Sequence, residues 1–64
     1  MEYHINAILT DGTPVLNGTA GWIPHKGEEI EIGACSYIVH HVRYKLKAGT
    51  AYHTDVDLLL VQIR

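Results

Sequence analysis

The side chains best suited to chemistry in this chain are its histidines, five in 64 residues, with His40 and His41 adjacent. Imidazole ligates metals and changes charge near neutral pH, so the pair invites a metal reading. Adjacent residues of a regular strand point to opposite faces, however, and both rings could reach one ion only across a bulge or between two chains. The sequence has no His-x-x-x-His on a helix, no second cysteine and no Cys-x-x-Cys. The expected arrangement is therefore one imidazole packed by a bulge and the other in solvent, with a metal-dependent enzyme as the distant alternative. Cys35 and Ser36 are the candidate nucleophiles. Each would need a base and an oxyanion donor, and the nearest histidines lie at the far end of the next strand. Glu29 with Glu31, and Asp55 with Asp57, pair at i, i+2, the spacing of one strand face, where a solvated rim accounts for them. Gly18-x-x-Gly21 lacks the helix and lysine of a phosphate loop. The expectation is a protein that is not an enzyme, with no metal and no cofactor.

Binding is better served. Trp22, Tyr37, Tyr44 and Tyr52 supply flat rings, and His25, Lys26, Arg43, Lys45 and Lys47 supply cations and donors. Such a mixture can stack a purine and hold a phosphate, or anchor a protein hot spot. The expected ligand- or partner-binding set is Trp22, His25, Lys26, His40, His41, Arg43, Tyr44 and Lys45. Trp22 and Tyr37 also suit the core of a small barrel, and the sequence leaves that choice open.

These residues must be positioned by strands. Pro24 cannot donate to a ladder and Gly27 tolerates positive φ, so a turn is predicted at Lys26-Gly27. Glu29 to Ile32 then alternates charged and apolar residues, and Gly33 to Ser36 reads as a short connection of small residues. Tyr37 to Tyr44 is rich in aromatic and β-branched residues, as a pleated surface prefers. Its apolar set changes phase, because Tyr37 and Val39 share one parity while Val42 and Tyr44 share the other. One extra residue at His40-His41 would bring all four onto one face and bend the strand.

Tyr3 to Leu9 alternates as a first strand, and Asp11-Gly12 is a hairpin signal. Asn17-Gly18 is a second signal only a few residues on, too close for both to be tight hairpins. With the hairpin assigned to Asp11-Gly12, a short strand is expected from Pro14 to Leu16, and a loop over Asn17 to Gly21 delivers Trp22. Leu46 to His53 reads as a loop and Asp55 to Arg64 as a terminal strand. Val56, Leu58 and Leu60 form one face of that strand; Leu59, Val61 and Ile63 form an apolar second face that needs a cover. The loop holding Trp22 could supply it, or a subunit interface formed by Leu59, Val61 and Ile63.

Sixty-four residues make one domain, 1–64, with a core that is marginal alone and that oligomerisation would help. Hydrophobic residues are 47% of the chain, with no Phe, so Ile, Leu, Val and Tyr must fill the core. A formal net charge of −2 lacks the basic stripe expected of a duplex-binding protein. A single cysteine excludes an internal disulfide and fits a reducing compartment, as a free thiol in a turn. No apolar run reaches the roughly 18 residues of a membrane span, and the N-terminus lacks the regions of a signal peptide. A cytoplasmic protein without membrane contact is expected.

The pattern Trp22-Ile-Pro-x-x-Gly27-Glu-x-Ile-x-Ile-Gly33, then Tyr37-x-Val39-x-x-Val42-x-Tyr44, then Val56 to Val61, resembles the short SH3-like barrel proteins of bacteria and their phages. The resemblance covers most of the chain and rests on structural motifs. It implies an all-β fold, a small five-stranded, strongly bent antiparallel sheet or SH3-like barrel. It also implies the roles such proteins have: assembly subunits, adaptors, and phage inhibitors that sequester a host protein or a nucleotide signal. The functional expectation is a homo-oligomeric, non-catalytic barrel of the sequestering kind, acting in the host cytoplasm if phage-encoded, on a host protein or a nucleotide-type ligand. An interaction or assembly subunit with no small-molecule ligand is the alternative.

Overall fold

The computed structural model describes residues 2–46 and 54–63. The described residues form five strands and no helix: β1 (Tyr3–Leu9), β2 (Pro14–Ala20), β3 (Glu29–Ile32), β4 (Cys35–Lys45) and β5 (Thr54–Gln62). They form one strongly curled half-barrel sheet of order β2-β1-β5-β4-β3, so the all-β, five-stranded fold class holds. The β1/β2, β3/β4 and β4/β5 pairs are antiparallel, whereas β1 and β5 run parallel from Tyr3↔Thr54 to Leu9↔Leu60. The sheet is therefore mixed, because the chain's two terminal strands meet at its centre.

Alternation builds the core. Ile5 and Ala7 of β1 stand beside Val56 and Leu58 of β5, and Leu60 beside Val39 of β4; with Tyr37 these seven form the buried core cluster. Tyr37 therefore belongs to the core. Its burial pushes the phenol pKa up, and the neighbouring Cys35 side chain adds to the shift. The phase slip in β4 is resolved as a bulge. Val39 pairs with Leu60 and His41 with Leu59, leaving His40 as the unpaired extra residue. Val42 and Tyr44 then face Leu58 and Val56 on the core side. Val42 is half-buried there, and Tyr44, near the end of the strand, is 54% exposed.

Three connections are local. At Thr10–Thr13 Gly12 takes φ 95°, and Asp11 keeps a negative φ, so the turn is not the type I′ that needs both positive. The Asp11 carboxylate instead accepts the Thr13 backbone N–H at 2.9 Å. Hydrogen bonding from the Thr13 side chain, and then from this N–H, holds the Asp11 pKa below its ordinary value. At His25–Glu28 the Glu28 N–H donates to the His25 carbonyl at 3.1 Å with Gly27 at φ 92°, the turn read from Lys26-Gly27. The β3–β4 hairpin is tighter than expected: only Gly33 and Ala34 connect Ile32 to its partner Cys35, and Gly33 carries φ 63°. Cys35 is consequently a half-buried strand residue and not a turn thiol.

The largest departure is β2. It runs to Ala20, so Asn17-Gly18 lies in mid-strand and not in a loop. Pairing Asn17↔Asn6 and Gly18↔Ile5 satisfies its backbone, and the Asn17 Oδ1 lies 2.9 Å from the His4 Nε2. Long-range pairing thus overrides the local turn preference. Since β2 and β3 are opposite edges, the segment 21–28 must cross the mouth of the half-barrel. Pro24 is buried and Ile23 packs against the core, which fixes this strap over the concave side. Gly27 N–H to Val39 O at 2.8 Å and Val39 N–H to Glu28 O at 2.9 Å pin its far end to β4. The expected loop over 46–53 lies, apart from Leu46, outside the described residues.

Candidate binding surfaces

The strap divides the concave side into two depressions with Pro24 between them. The first, about 320 Å³, is lined by Pro24, His25, Lys26, His41, Val42 and Tyr44. Two sequence features make it. The Lys26-Gly27 turn holds His25 and Lys26 on one wall, and the His40 bulge swings Val42 and Tyr44 onto the other. The Glu28 carboxylate accepts the His25 backbone N–H and lies 3.9 Å from that residue's ring Nδ1, which steadies the turn. Lys26 takes part in no ion pair among the described residues. The cleft therefore offers an accessible aromatic ring, an apolar floor of Pro24 and Val42, one uncompensated ammonium and the His25 imidazole; His41 borders it from a strand position that shares the outer face with Leu59 and Arg43. That donor set suits a flat ring carrying negative charge.

The second depression, about 200 Å³, is nearly all apolar. Ile5, Ala7 and Leu58 form its floor, Leu16 of β2 and Ile30 of β3 its walls, and Trp22 its rim. Trp22 is 65% exposed, which answers the open question of its orientation: it is a surface ring. Glu31 is the sole charged residue of that lining, so the groove has nothing to hold an anion.

Arg43 and Lys45 do not join either depression. They alternate with Tyr44 along β4 and stand on the opposite, outer face. There Lys45 Nζ lies 3.2 Å and Arg43 Nη2 3.9 Å from the Asp57 carboxylate, whose side chain is only 11% exposed. Two cations on one largely buried carboxylate explain how Asp57 is tolerated in the centre of the sheet. Beyond it His4 sits between Asp55, 3.5 Å from its Nδ1, and Asn17. The eight expected binding residues are thus split. His25, Lys26 and Tyr44 meet in one cleft, His41 borders it from an outward-facing strand position, Trp22 lies across the strap, His40 is the exposed bulge residue, and Arg43 and Lys45 are turned away. Period-two alternation at Arg43-Tyr44 carries that separation and could have given it from sequence. Pro24 and Val42 escaped the sequence reading as lining residues because nothing local shows that the strap meets β4.

The outer face also carries Ile38, Leu59, Val61 and Ile63. Val61 pairs with Ile38, and Val61 and Ile63 are each 42% exposed, so the second apolar face of the terminal strand has no cover among the described residues. No group of three or more metal-ligating side chains occurs among the described residues, and no helix is long and apolar enough to cross a membrane. No family model matches this chain, and neither the curated proteins nor the solved structures include a significant match to it.

Proposed function

We propose that this chain is a non-catalytic, self-associating binding protein that holds a small nucleotide-type ligand in the cleft between the His25–Glu28 turn and Tyr44. The observation that carries the reading is the convergence of Tyr44, Lys26 and His25 on one depression, with Lys26 free of any ion pair among the described residues. A base stacks on Tyr44 over Val42 and Pro24, and Lys26 with the His25 imidazole takes the phosphate. Binding without turnover fits a sequestering role in the cytoplasm of a bacterium or of a phage's host. Thermal-shift and ¹H-¹⁵N chemical-shift titrations with linear and cyclic nucleotides test it. Saturable shifts confined to residues 24–26 and 41–44 are expected, and no shift with any nucleotide overturns the reading.

A second reading is supported by the uncovered outer stripe of Ile38, Val61 and Ile63. In it the chain is an interaction or assembly subunit that docks this face on a larger partner and takes no small ligand. Co-purification with one host protein, abolished by Val61→Lys, alongside silence in the nucleotide titrations, would favour it.

A further inference from the structure

We infer that two copies of this chain associate through antiparallel pairing of their β2 edges, which joins two half-barrels into one continuous sheet. The inference rests on the self-associating part of the proposed function and locates its surface. Among the described residues both β2 and β3 pair on one side only, so each presents an open edge there. The two edges differ in protection. β3 is four residues long and carries Glu29 and Glu31, and a second copy paired there would set these carboxylates against themselves. β2 is seven residues long and has no charged side chain in Pro14, Val15, Leu16, Asn17, Gly18, Thr19 or Ala20. Only Pro14, at its start, lacks an N–H. Charge therefore opposes self-pairing at one edge and permits it at the other.

Symmetry and shape favour the same edge. An antiparallel strand paired with itself about a two-fold axis is an isologous contact that closes at the dimer. With the axis at Asn17, Leu16 stands opposite Gly18 of the second copy, and the regular ladder ends at Val15, which is skipped where Ala7 pairs with Leu16 and Ile8 with Pro14. Nothing lies within 4 Å of where a Cβ on Gly18 would be, so the site has room for that side chain. Leu16 faces the concave side with its partner Ala7, and it is 45% exposed beside the 65% exposed Trp22. Pairing brings both residues from both copies to the seam, where each side covers the other's apolar rim. The nucleotide cleft lies across Pro24 from this groove and stays open.

Sedimentation velocity on the full chain over a concentration series tests the inference. Far-UV circular dichroism would check each variant's fold, and emission from Trp22, the single tryptophan, would report the seam. The expected particle has twice the 7.1 kDa of the chain, and Trp22 emission moves to shorter wavelength as it forms. Leu16→Lys and, separately, Thr19→Lys should each return the folded monomer at the same concentration, while Val61→Lys leaves the dimer intact. A strict monomer at every concentration overturns both the edge contact and self-association. A dimer that survives both β2 substitutions overturns the edge contact alone, and its loss in Val61→Lys would move the interface to the outer face.

Discussion

Tyr44 and Arg43 are neighbours in the chain and opposites in the fold, and the difference assigns them separate work. Tyr44 presents a half-exposed ring to the cleft, whereas Arg43 faces outward toward Asp57. Lys26→Ala should weaken nucleotide binding by about tenfold or more, the effect of losing a charge-assisted bond worth about 1.5–3 kcal/mol. Tyr44→Ala should lose binding in the same assay, and Arg43→Ala should leave it within about twofold, since a surface ion pair on the other face contributes little. Asp11 gives a pH effect of known sign. Its pKa is depressed by the Thr13 hydrogen bonds, so its stabilisation is fully present above the ordinary carboxyl value of 3.8 and is lost as pH falls through the lower folded value. Asp11→Asn should therefore flatten the acid limb of a melting-temperature profile below that value. An unchanged limb would remove Asp11 from the account of acid sensitivity. The residue types of the cleft are legible in the sequence, and so is part of their partition, because strand alternation divides His41, Arg43 and Lys45 from Tyr44; the meeting of the strap with β4 is not, since no local pattern encodes it.

At the scale of elements, the His40 bulge links fold to site. Without the extra residue, either Tyr37 and Val39 or Val42 and Tyr44 would turn away from the core, so the same irregularity closes the sheet and builds the cleft wall. Deleting His40 should lower stability far more than His40→Ala, whose exposed side chain has little to lose; equal effects in denaturant titrations would contradict a structural bulge. Leu60→Ala, at a fully buried centre of β5, should cost about 2–5 kcal/mol. The bulge was legible because the apolar parity of β4 breaks at one place. The β1 and β3 alternations and the Lys26-Gly27 turn were legible for a similar reason, each being written in consecutive residues. The extent of β2 was not. Asn17-Gly18 is a strong turn signal locally, and only its pairing with Asn6 and Ile5, more than ten residues earlier, holds it in a strand. The parallel β1/β5 pair is equally nonlocal, since it joins residues about fifty positions apart.

At the scale of the whole molecule, the described residues form a single curled sheet whose concave side is covered by its own strap and whose two edges have no partner among those residues. A chain this short buries a modest core, and pairing at the β2 edge would add apolar burial where Leu16 and Trp22 now meet water. The proposed nucleotide cleft and the proposed dimer seam lie on opposite sides of Pro24, so Leu16→Lys should dissociate copies without abolishing ligand binding. The central claim concerns the cleft, and isothermal titration calorimetry of the full chain and its Lys26→Ala, Tyr44→Ala and Arg43→Ala variants against linear and cyclic nucleotides tests it most directly. Saturable heat with at least one nucleotide, lost in the Lys26 and Tyr44 variants and kept in the Arg43 variant, is the predicted result. No heat from any nucleotide, or a loss in Arg43→Ala equal to that in Lys26→Ala, would contradict the account.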